Sequence, residues 1–161
     1  GDWPAAIVAL GAEMKAVGPK GERWIQSEDF FLGLMTSALE PDEILTAIKV
    51  PISTGKKTAY LKAAPRAEGF AVVGIAVCLD TDDGGVCKDI AIGVTGVTDK
   101  AYRAKNVEEK LQGKKLEDST LEEAASRVAQ DVDVMENIYG SKEYRSHLAR
   151  VYLIRAIRAA I

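Results

Sequence analysis

The segment from Gly69 to Val97, GFAVVGIAVCLDTDDGGVCKDIAIGVTGV, restricts the fold more than any other. Two apolar runs rich in β-branched residues are joined by the acidic, glycine-bearing stretch DTDDGG. Runs of this length bounded by turn residues read as two antiparallel strands of one ribbon. Gly74, Gly93 and Gly96 interrupt the runs, which predicts bulges or close approach of another backbone. Cys78 and Cys87 flank the turn. A ribbon leaves a disulfide geometrically open, but two free thiols are preferred, as reduced cysteine is the rule inside cells. The aspartates of DTDDGG have the spacing of the start of a calcium loop. Gly84 and Ala91 stand at the fifth and twelfth positions, where that loop needs a third ligand and a Glu, so the stretch reads as a polar turn.

Shorter elements precede the ribbon. Pro4 suits the first turn of a helix, with Asp2 or Trp3 at its cap and Gly11 at its end. A hairpin from about Ala12 to Gln26 turns on GPKG. Ser27 then caps a short helix, and Glu28 and Asp29 favour its first turn. LEPDEILTAIKVP leads into a strand ending at Pro51, and the polar ISTGKK divides the chain into 1–51 and 52–161. KTAYLKAA is a further strand.

Helices follow the ribbon. AKNVEEKLQG is closed by Gly113, and DSTLEEAASRVAQDV carries a capping box of Ser119 and Glu122. Leu121, Ala125, Val128 and Val132 share that helix's apolar face. The last helix starts at Ser141, with Tyr144, Leu148, Val151 and Arg155 on one stripe and Ile154, Ile157 and Ile161 beside it. Strands and hairpins first, helices last, is an α+β order.

With 161 residues, 47% hydrophobic, the chain can bury a core without staples. A net charge of −3 with mixed signs points to neither nucleic acid nor an anionic membrane. No apolar run reaches the ~18 residues of a membrane span, and no signal-peptide pattern is present; the chain is read as cytoplasmic. It has neither GxxxxGK[ST] nor GxGxxG, and so no phosphate loop of its own. His147 is the only histidine and has no partner at ligand spacing, which makes it a helix-surface residue. Arg145, Arg150, Arg155 and Arg158 read as a solvated face that also compensates the helix dipole, with a subunit contact as the alternative. Lys62, between Leu61 and Ala63, either alternates outward to solvent or holds an electron-rich ligand group as a point charge.

The ordered set PAAIVALGA, FFLG, DEILTAIKVP, AYLKAAPRAEGFAVVGIAV and GSKEYRSHLARVYLIRAI resembles the FAD-binding medium subunit of molybdenum hydroxylases. These are the enzymes related to carbon monoxide dehydrogenase and xanthine dehydrogenase. Gly140, Ser141, Tyr144, Arg145, His147 and Leu148 carry much of the likeness, which covers essentially the whole chain. The resemblance implies the C-terminal portion of such a subunit. Residues 1–51 would be the tail of the second FAD-binding subdomain; 52–161 would be a three-stranded antiparallel sheet packed with a helical bundle. It further implies that Asp2 touches the flavin nucleotide, that Leu45 packs near the isoalloxazine and that Lys62 lies beside the flavin ring. FAD is then the cofactor, held weakly or not at all by this portion alone. A molybdopterin large subunit and an iron–sulfur small subunit would be the partners. The alternative is a docking module with no flavin role of its own.

Overall fold

The computed structural model describes residues 1–65 and 69–161. Helix α1 (Asp2–Ala9) leads into the hairpin of β1 (Glu13–Gly18) and β2 (Gly21–Gln26), which turns on Pro19 and Lys20. A single helical turn, α2 (Ser27–Phe30), is followed by the small hairpin of β3 (Phe31–Gly33) and β4 (Thr36–Ser37). Strand β5 (Ile44–Lys49) pairs with β1, giving a three-stranded sheet of order β2-β1-β5. The second sheet holds β6 (Lys57–Ala63), β7 (Val73–Thr81), β8 (Cys87–Thr95) and β9 (Tyr102–Arg103), all antiparallel and in that order. Helices α3 (Lys105–Leu111), α4 (Asp118–Ala125) and α5 (Lys142–Ala160) complete the chain. The expected three-stranded sheet thus gains a fourth, two-residue strand, and the mixed α+β order holds.

The ribbon of β7 and β8 is apolar almost without alternation because both of its faces are covered. One face packs on α3, α4 and α5 through Ile75, Val77, Ile92, Leu111, Leu121 and Leu153. The other carries α1, where Ala5 and Ala9 meet Ala76. Small residues on both sides let the helix lie close. A Cβ at Gly93 would strike the backbone carbonyl of Ala5. Gly96, at φ +81°, likewise leaves no room for a Cβ beside the Val72 carbonyl. The ribbon glycines therefore serve close approach, and the one register shift between β7 and β8 lies at Asp80 and Thr81, beside the turn. In the turn itself, Asp82 Oδ1 accepts from the Gly84 and Val86 amides. Cys78 sits opposite Ala91 and Cys87 opposite Thr81, so the thiols do not face each other, and both are buried and free.

Several local expectations shift. Asp2 is the first residue of α1 and Gly1 takes the cap position, which leaves the Asp2 carboxylate for other partners. Ser27 lies inside α2 and its hydroxyl donates to the Ile7 carbonyl, 3.1 Å away, tying α1 to the hairpin. Ser119 is inside α4, which begins one residue before it, with Glu117 at the cap and no side-chain cap bond. Ser141 does cap α5, accepting from the Tyr144 amide. The buried stripe of α5 is Arg145, Ala149, Leu153, Ala156, Ile157 and Ala160, whereas Tyr144 is exposed. Its small members let α5 pack closely on β6 and β7. The stripe first read, through Tyr144, Leu148, Val151 and Arg155, lies beside this seam. None of the described helices is long and apolar enough to cross a membrane.

Candidate functional site

The site begins with strand alternation. Residues two apart on a strand share a face, so Tyr60 and Lys62 of β6 point the same way. That face is the one covered by α1, and Tyr60 packs against Ala5, Ala9 and Ala76. Opposite Lys62 in the register stands Gly74, and a Cβ there would strike the Tyr60 hydroxyl. The bare strand at Gly74 is what lets the Tyr60 ring lie across it.

Helix α1 brings Asp2 onto this pair. The Lys62 ammonium donates to Asp2 Oδ2 at 2.8 Å and to the Gly69 carbonyl at 3.0 Å. The Tyr60 hydroxyl donates to Asp2 Oδ1, also at 2.8 Å. Burial alone would raise the Asp2 pKa. The bonds from Lys62 and Tyr60 outweigh it and hold the carboxyl below its ordinary value. Burial, and next the Asp2 carboxylate, push the Tyr60 phenol far above its usual range, so Tyr60 stays a neutral donor. The result is an ion pair of Asp2 and Lys62 that is braced by a phenol. An ammonium has three donor hydrogens. Among the described residues two are engaged, by Asp2 and by the Gly69 carbonyl.

At the start of α1 lies a cavity of about 390 Å³, whose lining includes none of Asp2, Tyr60 and Lys62. Gly1 and Pro4 of the α1 start, Leu34 and Met35 of the β3–β4 turn, Phe70 and Arg145 are among its walls. Met35 is almost wholly exposed, with φ +56°. Phe70 meets Tyr139 edge to face, with the ring centroids 4.8 Å apart.

Of the three residues singled out in the sequence, the structure brings together Asp2 and Lys62. Leu45 stands apart from them on β5, opposite Ala16, half-buried against the layer of Ile7, Met14 and Phe30. Lys62 does not alternate freely outward, because its side chain is only 26% exposed and is turned onto α1. Two residues escaped the sequence reading. Tyr60 was legible in principle, two places before Lys62 on a strand that faces Gly74. Arg145 was not: it was read as solvated, and it is only 2% exposed. The expected solvated face keeps Arg150, Arg155 and Arg158, and His147 is exposed beside them. Residues 66–68 of the family-like stretch AYLKAAPRAEGF lie outside the described residues.

Donor chemistry at the cluster fits one edge of a flavin. A lysine ammonium held by Asp2 and the Gly69 carbonyl suits an electron-rich ring edge as a point charge.

Comparison with known proteins bears on the chain as a whole. The family model described as "CO dehydrogenase flavoprotein C-terminal domain" matches residues 58–160. A second, "FAD binding domain in molybdopterin dehydrogenase", matches residues 1–53. The glyceraldehyde dehydrogenase medium chain of Sulfolobus acidocaldarius is 32% identical over 98% of this chain and 56% of its own length. The carbon monoxide dehydrogenase medium chain of Afipia carboxidovorans is 34% identical over 99% of this chain and 55% of its own. Carbon monoxide dehydrogenase from Hydrogenophaga pseudoflava superposes with a TM-score of 0.94 at 31% identity, over 99% of this chain and 56% of that one. The chain thus spans about half the length of the curated relatives it matches. It belongs to the family of CO dehydrogenase flavoprotein C-terminal domains, here preceded by a stretch of the FAD-binding domain of molybdopterin dehydrogenases.

Proposed function

We propose that the chain supplies one edge of the FAD site in the medium subunit of a molybdenum hydroxylase, with the division between FAD-binding and C-terminal domains near residue 52. The observation that carries this reading is the convergence of Asp2, Tyr60 and Lys62 from α1 and β6. FAD, when bound, supplies electron acceptance and transfer. Lys62 provides a point charge for the ring's electron-rich edge, which favours the reduced, anionic state of a flavin. Asp2 orients Lys62 and accepts from the nucleotide's donors, and Tyr60 keeps Asp2 in place. Leu45 contributes an apolar contact near the isoalloxazine. The subunit takes electrons from an iron–sulfur small subunit, which a molybdopterin large subunit reduces. The setting in this reading is cytoplasmic, where buried free thiols such as Cys78 and Cys87 are ordinary.

A second reading, docking without flavin, is favoured by the β3–β4 hairpin, where Leu32, Leu34 and Met35 are all exposed. One experiment separates the two. FAD is titrated, by flavin fluorescence and visible absorbance, into this chain and into a complete medium subunit containing it. The flavin reading expects the complete subunit to bind, and Lys62→Ala to weaken binding or lower the flavin's reduction potential. If the complete subunit does not bind FAD, the docking reading replaces it.

A further inference from the structure

Among the described residues, Arg145 is the only charged side chain that is buried. Among the described residues no carboxylate pairs with it. Its Nη1 donates to the carbonyls of Val72 and Gly96, each at 2.6 Å, and its Nη2 donates to Asn137 Oδ1, also at 2.6 Å. Among the described residues its Nε has no partner. A buried guanidinium without a counter-charge is expensive, and burial lowers the Arg145 pKa accordingly. The other residues of its stripe, Ala149, Leu153 and Ala156, seat α5 by apolar contact alone. Packing therefore does not explain a cation at this position; its three acceptors do.

The acceptors lie on three separate connections: Val72 at the end of the β6–β7 connection, Gly96 just after β8, and Asn137 before α5. Val72 and Gly96 present carbonyl oxygens to the same nitrogen, an arrangement that repels unless a donor stands between them. The β6–β7 connection also supplies the Gly69 carbonyl to Lys62. Its base is closed by the Val72 amide donating to the Ala63 carbonyl at 2.8 Å. The Val72 peptide is thus held from β6 on one side and from Arg145 on the other.

We propose that Arg145 is a positioning residue for Lys62: from α5 it fixes the Gly69–Val72 segment whose carbonyl orients the Lys62 ammonium toward Asp2. What this means for a bound flavin rests on the reading above. The geometric claim does not, and it can be tested without flavin.

The reporter is the Asp2 carboxyl, whose charged neighbours are Lys62 and the chain's amino terminus, with Tyr60 as a hydrogen-bond donor. Its titration is followed by carbon-detected NMR in this chain and in Arg145→Gln, Arg145→Lys, Asn137→Ala and Ala149→Gly. The last variant loosens the α5 seam without touching the connection. In Arg145→Gln the Asp2 midpoint should rise toward the ordinary carboxylate value, and the Val72 amide should exchange about tenfold faster, as for one lost hydrogen bond. Arg145→Lys keeps a cation between the two carbonyls and should restore most of both. Asn137→Ala should give a smaller shift in the same direction, and Ala149→Gly should lower the Tm without moving the midpoint. The proposal is overturned if Arg145→Gln and Asn137→Ala leave midpoint and exchange unchanged. It is equally overturned if Ala149→Gly shifts them as far. Should Arg145→Gln not fold, Arg145→Lys and Asn137→Ala decide the matter by the same two readouts. Loss of FAD binding by the complete subunit would leave this result standing, and the reverse also holds.

Discussion

Gly93→Ala should detach α1 from the sheet. A Cβ at this position would collide with the carbonyl oxygen of Ala5, and it would also lie 2.9 Å from the Ala5 carbonyl carbon and 3.1 Å from the Ala9 amide nitrogen. All three are backbone atoms of one helix, so no side-chain rotation relieves the contact and the helix must lift as a body. Lifting uncovers the methyl groups of Ala5, Ala9 and Ala76, which are at most 4% exposed. At ~0.8 kcal/mol for each buried carbon, the loss is about 2.5 kcal/mol. For a domain of this size that corresponds to a Tm lower by about 5–10 °C. The partly exposed ion pair of Asp2 and Lys62 adds at most a small, salt-sensitive amount. Thermal unfolding followed by circular dichroism measures the shift. The double variant Ala5→Gly/Gly93→Ala should not recover stability, since the obstacle is a carbonyl and not a side chain. A Tm within about 2 °C of the parent would refute the claim that α1 is pinned to β8 by backbone contact.

Three further outcomes are expected. The guanidinium of Arg23, and next the Glu40 amide, bring the Glu43 carboxyl down to about 2 from 4.5. Because its folded pKa is depressed, this group's stabilisation is present above pH 4.5 and is lost as pH falls toward 2. Urea unfolding at pH 6 and pH 3 should show this loss, and Arg23→Gln should flatten it. Burial, then Asp89 and Asp80, raise the Cys87 thiol to about 11, and Cys78 is also buried, so a thiol reagent at pH 8 should label both only on unfolding. Rapid labelling of the folded chain would contradict the packing of the ribbon. Ser141→Ala removes the side-chain oxygen that accepts from the Tyr144 amide and should cost about 1 kcal/mol, lowering the Tm by ~2–4 °C.

Much of the fold was legible because its strongest signals are local. The apolar ribbon, the GPKG hairpin and the Ser141 cap each follow from composition within a few residues, and each stands where the sequence places it. Caps chosen by residue type alone fared worse. At Ser27 and Ser119 the serine sits one or two positions inside the helix. The Ser27 hydroxyl found a tertiary acceptor on Ile7 instead of its own helix. The ribbon glycines were correctly marked as special. The partner of Gly93, the backbone of α1, is some eighty-odd positions away in sequence, and no local pattern names it.

The candidate site divides along the same line. Lys62 could be singled out because a charge on an apolar strand is locally conspicuous, and Asp2 because it precedes a proline-bearing helix start. Their union, however, depends on α1 lying over Gly93, a contact of high sequence separation. Arg145 shows the limit most clearly. Four arginines on one helix look alike in sequence, since helical periodicity assigns a face only once the seam is known. The seam here is marked by Ala149, Ala156 and Ala160, whose small side chains contribute little to an apolar stripe judged by bulk. Judged by closeness of approach instead, these alanines identify the buried face, and Arg145 stands one turn before Ala149 on it. A cation at that place has to find its acceptors in the protein. One of them, the Val72 carbonyl, belongs to the connection that reaches Lys62. The residue hidden most thoroughly from a sequence reading is therefore the one that joins the C-terminal helix to the candidate site.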